Sequence, residues 1–272
     1  MDDIFSKISK SVPLPDNEYV GEDGLMHCSV CDKPTQTKIK NPLLEKYMVV
    51  RCICDCKKQE LENQKEREVT EERERRRRIC FKDANMHNWN FRNDDRRNEK
   101  LSNAMQNYTK LFKDFKKDGK GLLLLGNVGT GKTYYAACIA NELIDKGYSV
   151  KVTSLTALAN QLSDVREGKQ GFLKSLNQFD LIVFDDLGIE RATSYMHELV
   201  YSIIDGRYVS GLPMIVTTNL TWEQLTKASE IEYQRIFDRV LEKCHPVQVN
   251  GQSRRKAEVV NSIKEINERL GL

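Results

Sequence analysis

From residue 121 onward, short apolar runs alternate with segments of helical periodicity. Runs this short and this apolar are typical of parallel strands buried on both faces. The predicted strands are 121–126, 149–155, 179–187, 213–220 and 246–250. The predicted helices are 133–146, 156–165, 194–209 and 230–243, with a closing helix after residue 250. This alternation predicts an α/β fold built on a doubly wound parallel sheet.

The pattern is different before residue 80. Residues 57–78 read KKQELENQKEREVTEERERRRR and contain almost no apolar side chain, so they cannot contribute to a core. We interpret them as a solvated helix or linker with i,i+4 charge pairs, although the basic end, Arg75–Arg78, could also contact nucleic acid. The predicted domains are 1–56, a small cysteine-containing module; 57–79, a charged helical linker; and 80–272, the α/β domain.

Composition narrows the possible functions only a little. The 272 residues include 43 Lys and Arg against 40 Asp and Glu, and the net charge of +3 does not by itself indicate a nucleic-acid-binding protein. No apolar run approaches the ~20 residues that span a bilayer, and the start MDDIFSKISK lacks the apolar core of a signal peptide. We therefore expect a cytoplasmic protein without membrane contact, whose eight cysteines are reduced or metal-bound.

The strand at 121–126 leads directly into a phosphate-binding pattern, GNVGTGKT. Glycines let the backbone turn tightly and bring its N–H groups against phosphate oxygens, while Lys132 can reach the β- and γ-phosphates and Thr133 can ligate Mg²⁺. The predicted nucleotide contacts are Gly126, Asn127, Val128, Gly129, Thr130, Gly131, Lys132, Thr133 and Tyr134. We interpret residues 79–120, which include Trp89, as a lead-in that packs beneath the nucleotide, its aromatic residues mostly in the core.

Polar residues at two strand ends extend this site. Asp185 and Asp186 follow the apolar run LIVF; we assign Asp185 to the Mg²⁺ and Asp186 to activation of the attacking water. Asn219 ends the strand at 213–220. If that strand lies between those that carry Lys132 and Asp185, Asn219 points at the γ-phosphate.

Two arginine pairs are candidates for stabilising charge at the γ-phosphate. Arg235 and Arg239 lie one helical turn apart in QRIFDRV, and Arg254 and Arg255 precede the last helix in GQSRR. Such an arginine acts either in the same chain or from a neighbouring subunit. A surface salt bridge is the alternative for each of them.

The motifs GNVGTGKT, FDDLG, LVYSIIDGRY, IVTTNL, RIFDRV and GQSRR, in this order, resemble the DnaC/DnaI/IstB branch of the AAA+ ATPases over about residues 80–258. The resemblance implies ATP as the nucleotide and an AAA+ sheet with strand order 5-1-4-3-2. It also implies that Asn219 is the first sensor, that Arg239 reaches a neighbour's ATP as a finger, and that Arg255 is the second sensor in cis. Asp186 stands where Glu is usual, so we expect slow Mg²⁺-dependent hydrolysis without DNA or a partner.

Five of the eight cysteines fall near the N-terminus, as Cys28-x-x-Cys31 and as Cys52, Cys54 and Cys56. This spacing is typical of zinc ligands, and Zn²⁺ takes four of them in a structural site. We favour Cys28 and Cys31 with Cys54 and Cys56, although any two of the later three could complete the site. Unrelated free thiols are the alternative.

The resembling branch contains bacterial and phage replicative-helicase loaders, in which a partner-binding module, often with zinc, precedes the ATPase. The resemblance therefore implies a loader that uses residues 1–56 to bind a DnaB-type hexameric helicase, delivers it to single-stranded DNA and assembles into a ring or spiral. It also implies a bacterial cell, whether the gene is chromosomal or phage-borne. Two other functions stay open, an IstB-like regulator of transposition and a metabolic P-loop kinase.

Four basic residues lie in or beside the element between the second and third strands. They are Lys151, Arg166, Lys169 and Lys174. The stretch 161–178 is polar and contains two glycines, and we interpret it as an irregular insert. In the resembling loaders this region lines the path of single-stranded DNA, whereas a solvated loop is the alternative.

Overall fold

The computed structural model describes residues 17–41, 45–165, 168–189 and 193–272, except for the side chains of 255–258, 260 and 261. The chain forms two compact units, Met1–Glu72 and Arg73–Leu272. Within the described residues, no helix combines the length and the apolar character that crossing a membrane requires.

The first unit contains two antiparallel hairpins and most of a long helix. Strands β1 (Glu18–Val20) and β2 (Met26–Cys28) form one hairpin, and β3 (Gln36–Lys40) and β4 (Tyr47–Arg51) form the other. Helix α1 (Asp55–Cys80) follows and continues into the second unit. The charged segment interpreted as a helical linker lies within α1; the three-part division of the chain stays a prediction.

The second unit alternates strands and helices. A short 3-10 helix, Ala84–Asn88, precedes α2 (Glu99–Lys110), α3 (Phe112–Asp118), β5 (Gly121–Leu125), α4 (Lys132–Asp145), β6 (Val150–Ser154), α5 (Leu155–Asp164), α6 (Lys169–Leu176), β7 (Leu181–Leu187), α7 (Ser194–Val209), β8 (Met214–Thr218), α8 (Trp222–Thr226), α9 (Ile231–Lys243), β9 (Cys244–Gln248) and α10 (Arg254–Leu270). The predicted strands are present, with ends shifted by a few residues.

These strands form one parallel sheet in the order β6-β7-β8-β5-β9. Numbered along the predicted strands, this order is 5-1-4-3-2, so the doubly wound parallel sheet and its predicted strand order are confirmed. Alternate residues of β5 face opposite layers: Leu122 and Leu124 pack with α4, and Leu123 and Leu125 pack with α5 and α7. The carboxyl ends of β5, β7 and β8 therefore meet at one edge.

A buried arginine joins α7 to the sheet. Arg207 is 1% exposed, and its guanidinium donates to the carbonyl groups of Phe179, Asp180 and Pro213 at 2.8–3.2 Å. Burial lowers the pKa of Arg207 to about 10. Because a buried charge needs such partners, this residue holds the entries to β7 and β8 at a set spacing.

The interpretation of 161–178 as an irregular insert is wrong. Gly168, with φ of 86°, caps the amino end of α6, and Phe172 and Leu173 pack against the core. The amphipathic spacing of its apolar residues therefore allows α6 to form despite the two glycines in this stretch. Lys151 donates to the carbonyl O of Ile79 at 2.7 Å and is half-buried, while Lys169 lies 6.0 Å from the Tyr195 ring. Lys174 lies in the last turn of α6, and Arg166 lies outside the described residues.

Candidate nucleotide site and cysteine cluster

The loop between β5 and α4 forms a cradle of backbone groups. Gly129 and Gly131 have φ angles of 81° and 102°, which glycine adopts without strain. A Cβ at Gly129 would lie 2.2 Å from Oγ of Ser253, so a larger residue would not fit. Helix α4 begins at Lys132, so its first N–H groups and the positive end of its dipole face the same space. The cradle fits a polyphosphate.

Lys132 is held at this cradle by three oxygen atoms. Its Nζ donates to the carbonyl groups of Gly126 and Asn127, both at 2.8 Å. It also donates to Oδ1 of Asn219 at 2.7 Å. Asn219 follows β8, which lies between β5 and β7. This is the strand order on which the predicted position of Asn219 depended. The contact brings the predicted first sensor to the predicted phosphate-binding lysine.

A carboxylate and two hydroxyls lie together at the ends of β7, β8 and the loop. Thr133 Oγ1 is 3.0 Å and Thr217 Oγ1 is 2.6 Å from Oδ1 of Asp185. Burial raises the pKa of Asp185, and the charge of Asp186 raises it further, while the hydrogen bonds from Thr217 and Thr133 oppose the shift. Oxygen donors of this kind suit Mg²⁺, which usually keeps several of its waters.

Asp186 reaches the same cavity through an unusual backbone conformation. Its φ is 60°, and its N–H donates to Oγ1 of Thr217 at 2.9 Å. Strained conformations of this kind are found where a site requires a particular side-chain direction. Asp186 and Asn219 both line a cleft of about 660 Å³ that contains the cradle.

Part of the cleft wall was not predicted from the sequence. Besides Trp89, which was interpreted only as part of the lead-in, this part consists of Asn93, Asp95 and Arg97. Arg254, one of the predicted arginine candidates, also lines the cleft. The Trp89 and Tyr134 rings lie 5.6 Å apart and offer an aromatic surface. A tryptophan shortly before a phosphate-binding loop was the available signal; the polar residues carry no local motif.

Arg254 closes the cleft from the C-terminal side. Its Nη2 lies 2.8 Å from Oδ1 of Asp95, and its guanidinium lies 5.8 Å from the centre of the Tyr134 ring. Its backbone N–H donates to the carbonyl of Gly129 at 2.9 Å. The side chain of Arg255 lies outside the described residues, so its role as second sensor stays a prediction.

Arg239 lies on a different surface. On α9, its Nε is 3.0 Å from Oδ1 of Asp205, and its guanidinium lies 4.5 Å above the Tyr208 ring. Hydrogen bonding to Asp205 raises the pKa of Arg239. Within the described part of the chain, the cleft wall does not include Arg239. The outer side of the LVYSIIDGRY motif therefore holds this arginine away from its own nucleotide cleft.

The first unit brings together Cys28, Cys31, Cys54 and Cys56, the set favoured by sequence analysis. Their Sγ atoms lie within 4.8 Å of one another. Backbone N–H groups of Val30 and Cys31 lower the pKa of the Cys28 thiol to about 6. Cys52 turns away and donates to the carbonyl of Pro34 at 3.3 Å. Four converging thiols, with backbone amides that lower the pKa of Cys28 and Cys31, fit a tetrahedral Zn²⁺ site.

Residues 55–262 match the family model described as IstB-like ATP binding protein. The chain belongs to this family. Membership implies that the protein binds ATP and has ATPase activity in general. Cys28, Cys31 and Cys54 precede the matched residues, so most of the cysteine cluster lies outside the family model.

Two curated relatives of this IstB-like protein are replicative helicase loaders. DnaI of Bacillus subtilis (strain 168) is 27% identical over 164 residues, which cover 55% of this chain and 53% of DnaI. DnaC of Escherichia coli (strain K12) is 28% identical over 142 residues, which cover 51% of this chain and 57% of DnaC. The chain thus spans about half the length of these relatives.

Solved structures share the fold. A DnaI crystal structure aligns with a TM-score of 0.54 and 23% identity, and covers 66% of this chain and 99% of that chain. A crystal structure of the DnaC helicase loader aligns with a TM-score of 0.53 and 23% identity, and covers 62% of this chain and 100% of that chain. At this identity the likeness establishes the α/β fold of the family.

Proposed function

We propose that this IstB-like protein is an ATP-dependent loader that binds a DnaB-type hexameric helicase and delivers it to single-stranded DNA. The similarity of its ATPase unit to the replicative helicase loaders DnaI and DnaC carries the proposal. The cytoplasm of a bacterial cell is the compartment that this function requires.

The residues of the cleft have complementary roles in hydrolysis. Lys132 exchanges its carbonyl partners for the β- and γ-phosphates, and Thr133 and Asp185 hold Mg²⁺. Asp186 and Asn219 orient the attacking water, with Asp186 as the base. Bound by Thr133 and Asp185, Mg²⁺ would neutralise charge that develops on the phosphates. The shorter reach of Asp186, relative to Glu, keeps hydrolysis slow in the free protein.

Arg239 acts on the ATP of a neighbouring subunit. Its anchorage by Asp205 and its position outside its own cleft support this role. Hydrolysis then requires self-assembly, in a ring or spiral, because each cleft takes its arginine from the next subunit. Asp205 and Tyr208 restrict the guanidinium beforehand, which reduces the entropy lost when it engages the neighbour.

The four-cysteine cluster binds one Zn²⁺ that stabilises the first unit. We expect Cys28→Ser to lose this zinc and to unfold the hairpins, because zinc binding supplies folding free energy in modules with few apolar residues. Cys52→Ser is the matched control, since its thiol bonds to a carbonyl instead, and it should retain zinc. ATP affinity should be unchanged in both. Elemental analysis of protein purified without chelator measures the zinc content of each variant. Absence of zinc from the wild type would contradict the assignment.

Partner binding tests the loader function. The full chain, mixed with ATP and the replicative helicase of the same cell, should co-elute with the hexamer in size-exclusion chromatography and increase its transfer onto single-stranded DNA. Cys28→Ser should not co-elute, because residues 1–56 form the proposed binding module. Failure of the wild type to bind the helicase contradicts the proposal.

A regulator of transposition is the second candidate, and the family match supports it. In that case the partner is a transposase, and the same chromatography with transposase in place of helicase would give co-elution. The cysteine module before the matched residues favours the loader.

A further inference from the structure

The two hairpins of the first unit carry opposite charge. Residues 17–32 contain no Lys or Arg, and their acidic residues are Glu18, Glu22, Asp23 and Asp32. Residues 33–51 carry Lys33, Lys38, Lys40, Lys46 and Arg51 against a single acid, Glu45. The small net charge of the whole chain gives no indication of this local excess of positive charge.

The strand register places two of these lysines on the same face of the second hairpin. Lys40 pairs with Tyr47 and Lys38 pairs with Val49, and alternate residues of a strand share a face. Tyr47 is 71% exposed. Among the described residues, neither lysine forms an ion pair, whereas Arg51 at the far end is neutralised by Glu18 at 3.1 Å. We call Lys38, Lys40 and Tyr47 the basic hairpin face.

The base of this hairpin is closed by a backbone hydrogen bond and is followed directly by two cysteines of the cluster. The N–H of Cys52 donates to the carbonyl of Thr35 at 2.8 Å, and the Thr35 side chain is buried. Cys54 and Cys56 follow directly along the chain. The basic hairpin face is therefore presented from a structured base, which reduces the entropy that a ligand must offset.

We propose that the basic hairpin face binds single-stranded DNA without the help of a nucleotide. The two lysines are about 7 Å apart along β3 and can neutralise successive phosphates. Every base has a π-face that can stack on Tyr47 when it is not enclosed in a duplex. The choice of DNA over RNA rests on the proposed loader function; binding by this face is argued independently of it.

Fluorescence anisotropy of the full chain with labelled oligothymidylate of about 20 nucleotides, without ATP, tests this proposal. Lys38→Gln combined with Lys40→Gln should weaken binding and reduce the slope of log Kd against log salt by about 1.4, since two phosphate contacts are lost. Tyr47→Ala should weaken binding about tenfold, and Tyr47→Phe should restore it. Lys58→Gln combined with Lys65→Gln removes equal charge from α1 and should change neither quantity.

Zinc content and ATP hydrolysis should be unchanged in the lysine variants. The proposal is overturned if wild type binds oligothymidylate only with ATP, or if the lysine variants bind like wild type. Lysine variants that keep DNA affinity but lose the helicase would make the face a protein-docking surface instead. Tighter binding to oligouridylate would overturn the choice of DNA. If Tyr47→Ala loses its zinc, the DNA affinities of the lysine variants and of Tyr47→Phe test the proposal instead. Failure of helicase binding alone contradicts the loader function and leaves this proposal intact.

Discussion

Lys132→Ala should weaken ATP binding by a factor of about 30 to several thousand, because truncating one partner of a buried charge pair costs about 2–5 kcal/mol. Lys132 is buried at the cradle with three oxygen partners, and no other described lysine or arginine bonds to the loop carbonyls of Gly126 and Asn127. Isothermal titration calorimetry with ATP and Mg²⁺ measures the loss.

Two comparisons make this result specific. Lys132→Met keeps most of the side-chain volume and removes only the charge, so it should behave like alanine in affinity while its thermal midpoint stays closer to wild type. Lys146→Ala, at the other end of α4, removes a lysine that bonds to the Thr109 carbonyl and should leave ATP affinity unchanged. Wild-type affinity in Lys132→Ala would refute the phosphate-loop assignment.

Arg239→Ala should leave ATP binding intact and lower DNA-stimulated hydrolysis by about 10³-fold or more, the range for loss of an arginine finger. The effect crosses a subunit boundary, so mixing Arg239→Ala with Lys132→Ala should restore part of the activity. At a mixed interface, the first variant supplies an intact cleft and the second supplies the arginine. Turnover of a titrated mixture measures the recovery; none at any ratio counts against hydrolysis in trans.

Two further variants, one at the bonding partner of Arg239 and one on the same helix, refine this experiment. Asp205→Asn weakens the anchorage of Arg239 and should reduce turnover less than removal of the arginine, because the guanidinium stays available. Arg235 is exposed and lies one turn before Arg239 on the same helix, so Arg235→Ala serves as the matched control, with turnover near wild type. If Arg235→Ala alone abolishes hydrolysis, the finger has been assigned to the wrong residue.

Local patterns in the sequence were sufficient to predict the nucleotide site. The glycines before Lys132 and the acids at the end of β7 act through short-range backbone geometry, so contiguous residues specify them. The apolar runs predicted the strands for the same reason. The strand order came from a family resemblance, and the sheet confirms it. The spacing of the cysteines favoured Cys28, Cys31, Cys54 and Cys56 as zinc ligands but did not exclude Cys52.

The sequence by itself therefore determined the fold class, the phosphate loop and the residues at the strand ends. Only the tertiary structure decided which distant side chains meet. Arg254 pairs with Asp95 across 159 residues, Lys151 bonds to Ile79, and Arg239 bonds to Asp205. The formation of α6 despite its glycines was also decided by packing against the core. Such contacts depend on how elements pack across the sheet, and no local spacing encodes the distance between residues that the folded chain brings together.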